Sequence, residues 1–416
     1  IKGFNIKKIF TNTKLYSAKY SENTILTHLT HNAETHNFPT GICPFPGAAT
    51  GAGGRIRDTI SIGRGGGFIS GIVGYAIGDI FNNNWTYPYN HPKRILIEAS
   101  NGASDYGNKI GEPVTSGFTR SYGSIINNKR IEYVKPILYS ASNGYMYDRN
   151  KVKMSPEPGY LIVRVGGPAY SIGIGGGSAS STNQDTKNKK SDYDAVQRGD
   201  PEMENKVCKF VRACFEIPEN PIYSIHDQGS GGMANVTKEI VEPNGGLICI
   251  NNVKCGQKNM SSFDIWNAEY QEQCTFLTSP KHIQLIKTIA KRENINLEFV
   301  GFVTNTNKIQ VYDKNESNLC VDMNLKEVLN DIPKKIFNMK YIDQSTVPLE
   351  KELYLEELNF IDQVKLVLND LNVCSKKFLT NKVDRSVTGL ISQQQCVGPF
   401  QLPLSNFSIT NLSFKD

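Results

Sequence analysis

The string Glu34-Thr35-His36-Asn37 holds the side chains of this sequence best suited to chemistry. In an extended segment alternate side chains share a face, so Glu34 and His36 are expected to point together. A carboxylate beside an imidazole suits a metal ligand next to a proton acceptor. Alone, His36 reads more simply as a structural histidine that holds a hydrogen bond. The neighbouring run shifts that balance: Gly47-Ala48-Ala49-Thr50-Gly51-Ala52-Gly53-Gly54 leads into Arg55-Ile56-Arg57-Asp58. Glycines without Cβ crowding let backbone N–H groups converge on phosphate oxygens. Arg55 and Arg57 would add cations, and Asp58 a carboxylate for Mg2+. No Gly-Lys-Ser/Thr comes after it, so this is not a Walker loop. The plain alternative is a flexible surface loop.

Three more segments carry similar groups. His226-Asp227-Gln228-Gly229-Ser230-Gly231-Gly232 comes directly after an apolar run. There Asp227 could hold Mg2+ while the glycines admit a substrate; a turn after a buried strand fits the spacing equally well. Gln197-Arg198-Gly199-Asp200-Pro201 and Glu269-Tyr270-Gln271 offer polar contacts, but singly they read as surface residues or caps. The small-residue stretch GIGGGSASS could touch phosphate, though close strand–helix packing is the safer expectation.

The elements that must position these groups alternate in type. RILIEAS from Arg94 reads as a short strand, succeeded by the turn-rich SNGASDYGNKIGEP. GYLIVRVGG reads as a buried strand. In KVCKFVRACFEI, Val207, Phe210, Val211 and Cys214 fall on one helical face. PIYSIHDQGSGG is a strand and glycine turn, ANVTKEIVE opens a helix, and EFVGFV and KIQVYD are closing strands. Beyond Asn330 a Pro/Lys linker leads to a helix carrying Leu358, Ile361, Val364 and Leu368; the last block, KVDRSVTGLISQQQCVGPFQLPL, mixes strand and turn signals. Recurrent strand–glycine loop–helix units predict a mixed α and β protein; the pattern does not give the topology.

Bulk properties narrow the function classes. At 416 residues, 39% hydrophobic and 21% charged, the chain suits a globular protein of two or three domains. No apolar run is long enough to span a bilayer. The net charge of +6 is dispersed, and its densest basic run, at 187–190, sits in a polar stretch without the interleaved aromatics of a nucleic-acid groove. Nine cysteines, spread singly and without CxxC pairs, fit reduced thiols and a cytoplasmic location.

Taken in order, the segments are specific. ETHNFPTGICPFPGAATGAGGRIRD, EASNGASDYGNK, GGPAYSIGIGGGSASS, VQRGDPEME, IHDQGSGG, AEYQE and DRSVTG with QQQCVGP closely resemble phosphoribosylformylglycinamidine synthases of the large single-chain form. The resemblance runs from about residue 30 to the end. It implies an α/β (mixed α+β) fold of the aminoimidazole-ribonucleotide-synthetase type. Residues 1–150 would be the N-terminal layer of a first repeat, 151–335 its C-terminal layer, and 336–416 a linker and the start of a second repeat. The sequence would then be a piece of a longer protein, inactive alone, with a glutaminase domain in the missing C-terminal part.

The resemblance also implies roles. The reaction would be ATP-dependent conversion of formylglycinamide ribonucleotide to formylglycinamidine ribonucleotide with glutamine-derived ammonia, through an iminophosphate. His36 would be the proton acceptor. Thr35, Asn37, Arg57, Gln197, Glu269 and Gln271 would contact substrate. Gly47, Ala48, Ala49, Thr50, Gly51, Ala52, Gly53, Gly54, Arg55, Ile56, Arg57 and Asp58 would contact the nucleotide. Mg2+ would be held by Glu34, Asp58 and Asp227, and by Asn406 at a structural ADP site. Two residues depart from the family's pattern: Phe38 replaces a second histidine, and Asn406 stands where the family usually has Asp, which removes a charge from that site. A non-catalytic homologue, kept as a binding or assembly protein, is the alternative.

Overall fold

The computed structural model describes residues 4–11, 20–182, 184, 189–330, 333–341 and 358–414. Parts of the expected linker (342–357) and of the basic run (187 and 188) lie outside them. Two sheets organise the chain. The first contains β1 (Phe4–Thr11), β2 (Tyr20–Thr35), β3 (Gly67–Ile77) and β4 (Val114–Ser121). After the hairpin β5 (Gly123–Ile126) and β6 (Lys129–Glu132), it gains β7 (Ile137–Tyr147), and its order is β1-β2-β7-β3-β4. The second sheet uses β8 (Leu161–Gly166), β9 (Ser224–Asp227), β10 (Gly246–Cys249), β11 (Gln273–Thr278), β12 (Asn296–Val303), β13 (Lys308–Tyr312) and β14 (Leu319–Asn324). Its order is β14-β13-β10-β12-β8-β11-β9.

One face of the first sheet is covered by helices that the sequence disguises. After the short α1 (Asn37–Ile42), α2 runs through the glycine stretch from Pro44 to Ile60, so the expected loop is helix. Each glycine costs about 1 kcal/mol against alanine in a helix, and burial outweighs that cost here: nearly all of α2 is inside. Its partner α3 (Pro92–Ile110) replaces both the strand expected at RILIEAS and the turn expected after it. Ile95, Ala99, Gly102, Ala103, Tyr106 and Ile110 are buried at helical spacing, which overrides the Ser/Asn/Gly content. Small residues let the two helices approach closely; a methyl group on Gly102 would collide with the Phe45 carbonyl oxygen.

The second sheet is buried on both faces at β8 and β11, which is why LIVRV reads as a largely apolar run. Ile162 and Leu277 face a core completed by α7 (Gly232–Val241) and α8 (Ser262–Asn267). Val163, Val165 and Phe276 face the opposite core, with α6 (Pro201–Glu216) and α9 (Ile283–Arg292). Two further helices, α4 (Gly176–Ser180) and α5 (Lys189–Asp194), lie between β8 and α6 in the chain. Ile60 of α2 and Tyr147 of β7 join the α6–α9 core, so the two sheets share packing. Helix Phe360–Asn369 has no buried residue, and Ile361, Leu366, Val367 and Leu368 on it are exposed. All nine cysteines are free.

Candidate active site

Strand β2 alternates as its sequence demands: His31, Ala33 and Thr35 are exposed, whereas Asn32 and Glu34 turn inward. At His36 the chain leaves the strand and enters α1, and the next helix, α2, passes behind it. Glu34 and His36 therefore face one cavity of about 360 Å³, together with Thr35, Asn37, Thr50, Gly54, Arg57 and Asp58. The far wall comes from the second half: Gly176, Gly177, Ser180, Gln197, Asp227, Ser230, Glu269 and Gln271. Gly54 has a concrete reason to lack a side chain, since a Cβ there would lie 2.5 Å from Glu34 Oε1.

His36 is held from both sides. Its backbone N–H donates to the Leu138 carbonyl, and its Nδ1 lies 2.6 Å from the Gly47 carbonyl oxygen. A carbonyl only accepts, so the proton sits on Nδ1 and Nε2 presents a lone pair. Burial pushes the imidazole down to about 4, with the Arg57 charge adding to the effect, so the ring is neutral near pH 7. Asn37 ties the turn to β7 by accepting from the Leu138 N–H and donating to Thr35 Oγ1.

Three carboxylates crowd together. Glu34 is raised by burial, with Arg57 opposing and Asp227 reinforcing the shift. Asp58 is pushed up to about 7 by burial and by the charges of Asp227 and Glu34. Asp227, at the end of β9, is lowered: burial pushes it up, but His226 and Arg57 outweigh burial. His226 in turn reaches Glu239, at 3.0 Å. These carboxylates are hard oxygen donors of the kind Mg2+ takes. Among the described residues, no three His, Cys, Asp or Glu side chains are already arranged to hold one ion.

Glu269 is fixed by two backbone donors, Gly177 N–H and Gly231 N–H, both at 3.0 Å, and by Gln197 Nε2 at 2.6 Å. Gln197 Oε1 is buried without a partner. Arg57 lines the cavity, yet its guanidinium is committed: Nη1 lies 3.2 Å from Glu204 and 3.6 Å from Glu272, and Nη2 donates to Gln271. The side chain expected to touch substrate thus instead holds Gln271 in place.

Several expectations need correction. In a helix the N–H groups of Gly47, Ala48, Ala49, Gly51, Ala52 and Gly53 bond to carbonyls one turn back, as Gly47 N–H does to Cys43 at 2.8 Å. They cannot also converge on phosphate, and none lines the cavity. Arg55 is fully buried and grips Glu112 through Nε and Nη2, the latter at 2.6 Å, with Nη1 on Ser140. Ile56 lies in the core between α2 and α3. Of the proposed nucleotide contacts, Thr50, Gly54, Arg57 and Asp58 reach the cavity. Asn406 is exposed and does not line it. GIGGGSASS, expected mainly to pack, contributes Gly176, Gly177 and Ser180 to the wall. Lys135 was missed: it lies about a hundred residues from the motif in sequence, and no spacing pattern marks it.

Comparison with known proteins identifies what the chain is similar to. A family model described as AIR synthase related protein, C-terminal domain, matches residues 157–314, and an FGAR-AT PurM_N-like domain matches 375–416. The phosphoribosylformylglycinamidine synthase of Dictyostelium discoideum is 44% identical over 100% of this chain, and that of Homo sapiens 42% over 96%. In each case the chain spans only 32% of the relative's length. Among solved structures, T. maritima PurL complexed with FGAR superposes with a TM-score of 0.61 at 24% identity, over 76% of this chain and 50% of that one. The structure of PurLQS from Thermotoga maritima gives 0.64 at 21% identity, over 88% and 52%. The fold is thus shared with these PurL proteins, and along its whole length the chain is homologous to phosphoribosylformylglycinamidine synthases, of which it represents about a third.

Proposed function

We propose that this cavity is where ATP activates the amide of formylglycinamide ribonucleotide, a step of purine biosynthesis, for replacement of its oxygen by nitrogen. The observation that carries the reading is the convergence of Glu34, His36, Asp58, Gln197, Asp227, Glu269 and Gln271 on one cavity, from segments far apart in the sequence.

The chemistry sets what the residues must do. An amide oxygen is a poor leaving group, so it attacks the γ-phosphorus of ATP, ADP departs, and the amide nitrogen gives up its proton to leave an iminophosphate. Ammonia, derived from glutamine in a separate glutaminase domain, then adds to the iminophosphate carbon. The C–O bond of that adduct breaks, phosphate leaves and the amidine remains. His36 Nε2, neutral and bearing its lone pair, takes a proton from the adding ammonia. Gln197 offers its unpartnered Oε1 to a substrate N–H, while Gln271, steadied by Arg57, and Glu269 fix the substrate's orientation. Thr35 and Asn37 edge the same pocket, and Thr50 and Gly54 face the nucleotide.

Glu34, Asp58 and Asp227 would hold Mg2+, which would neutralise charge on the transferring phosphoryl group. The fit rests on the three carboxylates lining one cavity, and a divalent cation would relieve the repulsion that, after burial, raises Asp58. Phosphate oxygens and water would complete the shell, as Mg2+ ordinarily requires. Asn406, away from this cavity, would serve only a second, structural ADP.

Calorimetric titration tests the reading. The chain should bind formylglycinamide ribonucleotide, and should bind a non-hydrolysable ATP analogue with Mg2+ more tightly than without. A folded chain that binds neither sinks it.

A further inference from the structure

The charges on the cavity wall leave one question: what meets the phosphate of a phosphorylated ligand. Glu34, Asp58, Asp227 and Glu269 are carboxylates, and Arg57 turns Nη1 and Nη2 to Glu204, Glu272 and Gln271, with its Nε buried and 3% of its surface exposed. Lys135 is the other basic residue lining the cavity, its pKa lowered by burial. It makes no ion pair among the described residues; its Nζ donates to the Ser180 carbonyl oxygen at 2.6 Å. An ammonium carries three donors, so two are left for a ligand.

The backbone holds it firmly. Pro136 comes next and restricts Lys135 to an extended conformation, and β7 begins one residue later. Across the cavity, Ser180 ends the short helix α4, which the left-handed glycines Gly173 (φ 68°) and Gly175 (φ 72°) lead into. That helix is clamped to Glu269 through the Gly177 N–H. Lys135 thus joins the first sheet to α4 on the far wall, with its ammonium among the lining groups.

We propose that Lys135 is a phosphate-anchoring residue, whose ammonium, steadied by the Ser180 carbonyl, takes an oxyanion of a phosphorylated substrate. The inference rests on the proposed function of this cavity. Two phosphates could supply that oxyanion: the monoester of the ribonucleotide and the polyphosphate of ATP. A purely structural lysine, tying β7 to α4, is the competing account.

Titration calorimetry on the 416-residue chain, with Lys135→Met and Lys135→Arg, separates these accounts. The probes are formylglycinamide ribonucleotide, its dephosphorylated riboside and a non-hydrolysable ATP analogue with Mg2+. A hydrogen bond to a charged group is worth about 1.5–3 kcal/mol, so Lys135→Met should weaken the phosphorylated probe that meets the lysine by roughly 10- to 100-fold. Lys135→Arg should recover much of that loss, and the riboside should bind both variants as it binds the wild type. Loss confined to the ribonucleotide names the monoester as the ligand group, and loss confined to the ATP analogue names the polyphosphate. Equal weakening of riboside and ribonucleotide, or no weakening at all, overturns the proposal while leaving the functional reading in place. A folded wild-type chain that binds none of the probes overturns both.

Discussion

A backbone carbonyl decides what His36 can do. With Gly47 accepting from Nδ1, the free lone pair is on Nε2, and burial keeps the ring neutral. If that lone pair takes the proton in the proposed reaction, His36→Ala should slow that reaction by about 10²-fold or more, with nucleotide affinity unchanged. Unchanged turnover with a lowered melting temperature would make His36 a structural residue. Arg55 shows the limit of reading residues by type. Beside Asp58 it looks like a phosphate ligand, yet it points the other way, into a pair with Glu112 in which both side chains are fully buried. Breaking a buried pair costs about 3–5 kcal/mol because one charge is stranded. Glu112→Gln should therefore lower the melting temperature by roughly 3–6 °C, measured by differential scanning calorimetry, without changing ATP affinity at temperatures where the variant is folded. A sequence names a charged residue, but only the packing tells which side of a helix it leaves from.

At the scale of elements, four strands of the second sheet were legible; β10, β11, β14 and the two helices over the first sheet were not. GYLIVRVGG, PIYSIHD, EFVGFV and KIQVYD carry apolar residues in strand-length runs, and they are β8, β9, β12 and β13. In α2 and α3 local composition argues for loop and turn, whereas the deciding term is the close contact of one helix with the other, a non-local quantity. Gly102→Ala isolates that term. In an isolated helix the change would stabilise by about 1 kcal/mol; here the methyl meets the Phe45 backbone, which cannot swing aside as a side chain could. Overpacking of this kind costs about 1–3 kcal/mol, so chemical denaturation should show a net loss of stability. A gain would mean that α2 and α3 are freer to separate than their packing suggests. The cavity divided in the same way: residues inside motifs were found, and Lys135, outside any motif, was not.

For the whole molecule, the bond network around Arg57 is a buried polar link between halves. Its α2 guanidinium meets Glu204 of α6 and Glu272 beside β11, and the single O–H of Tyr106 in α3 lies 2.9 Å from Glu272 and 3.3 Å from Glu204, so it donates to one of them at a time. Two buried carboxylates share one guanidinium. Burial, only partly offset by Arg57, pushes Glu204 up to about 7 and Glu272 up to about 8, so one proton stays with the group near neutrality. Both folded values exceed the unfolded value of about 4.3. The folded state therefore binds more protons in that interval, and this group's contribution to stability falls as pH rises from about 4.5 toward 8. Glu204→Gln should flatten that slope: between pH 5.5 and 8 the wild type should lose about 1–2 kcal/mol more than the variant, by urea unfolding at each pH. Parallel profiles would show that the trio titrates identically in both states. At the opposite end of the chain, Phe360, Ile361, Leu366, Val367 and Leu368 present hydrocarbon to water along a single short helix, with Phe400, Leu404 and Phe407 exposed beyond it. Exposed hydrocarbon in this quantity makes molecules adhere to one another, so colloidal behaviour, not unfolding, should limit how far the purified chain can be concentrated. Static light scattering should rise steeply with concentration. Sulfate, which strengthens apolar association, should sharpen that rise while the melting temperature also climbs, and Leu368→Glu should suppress the scattering and leave the melting temperature where it was.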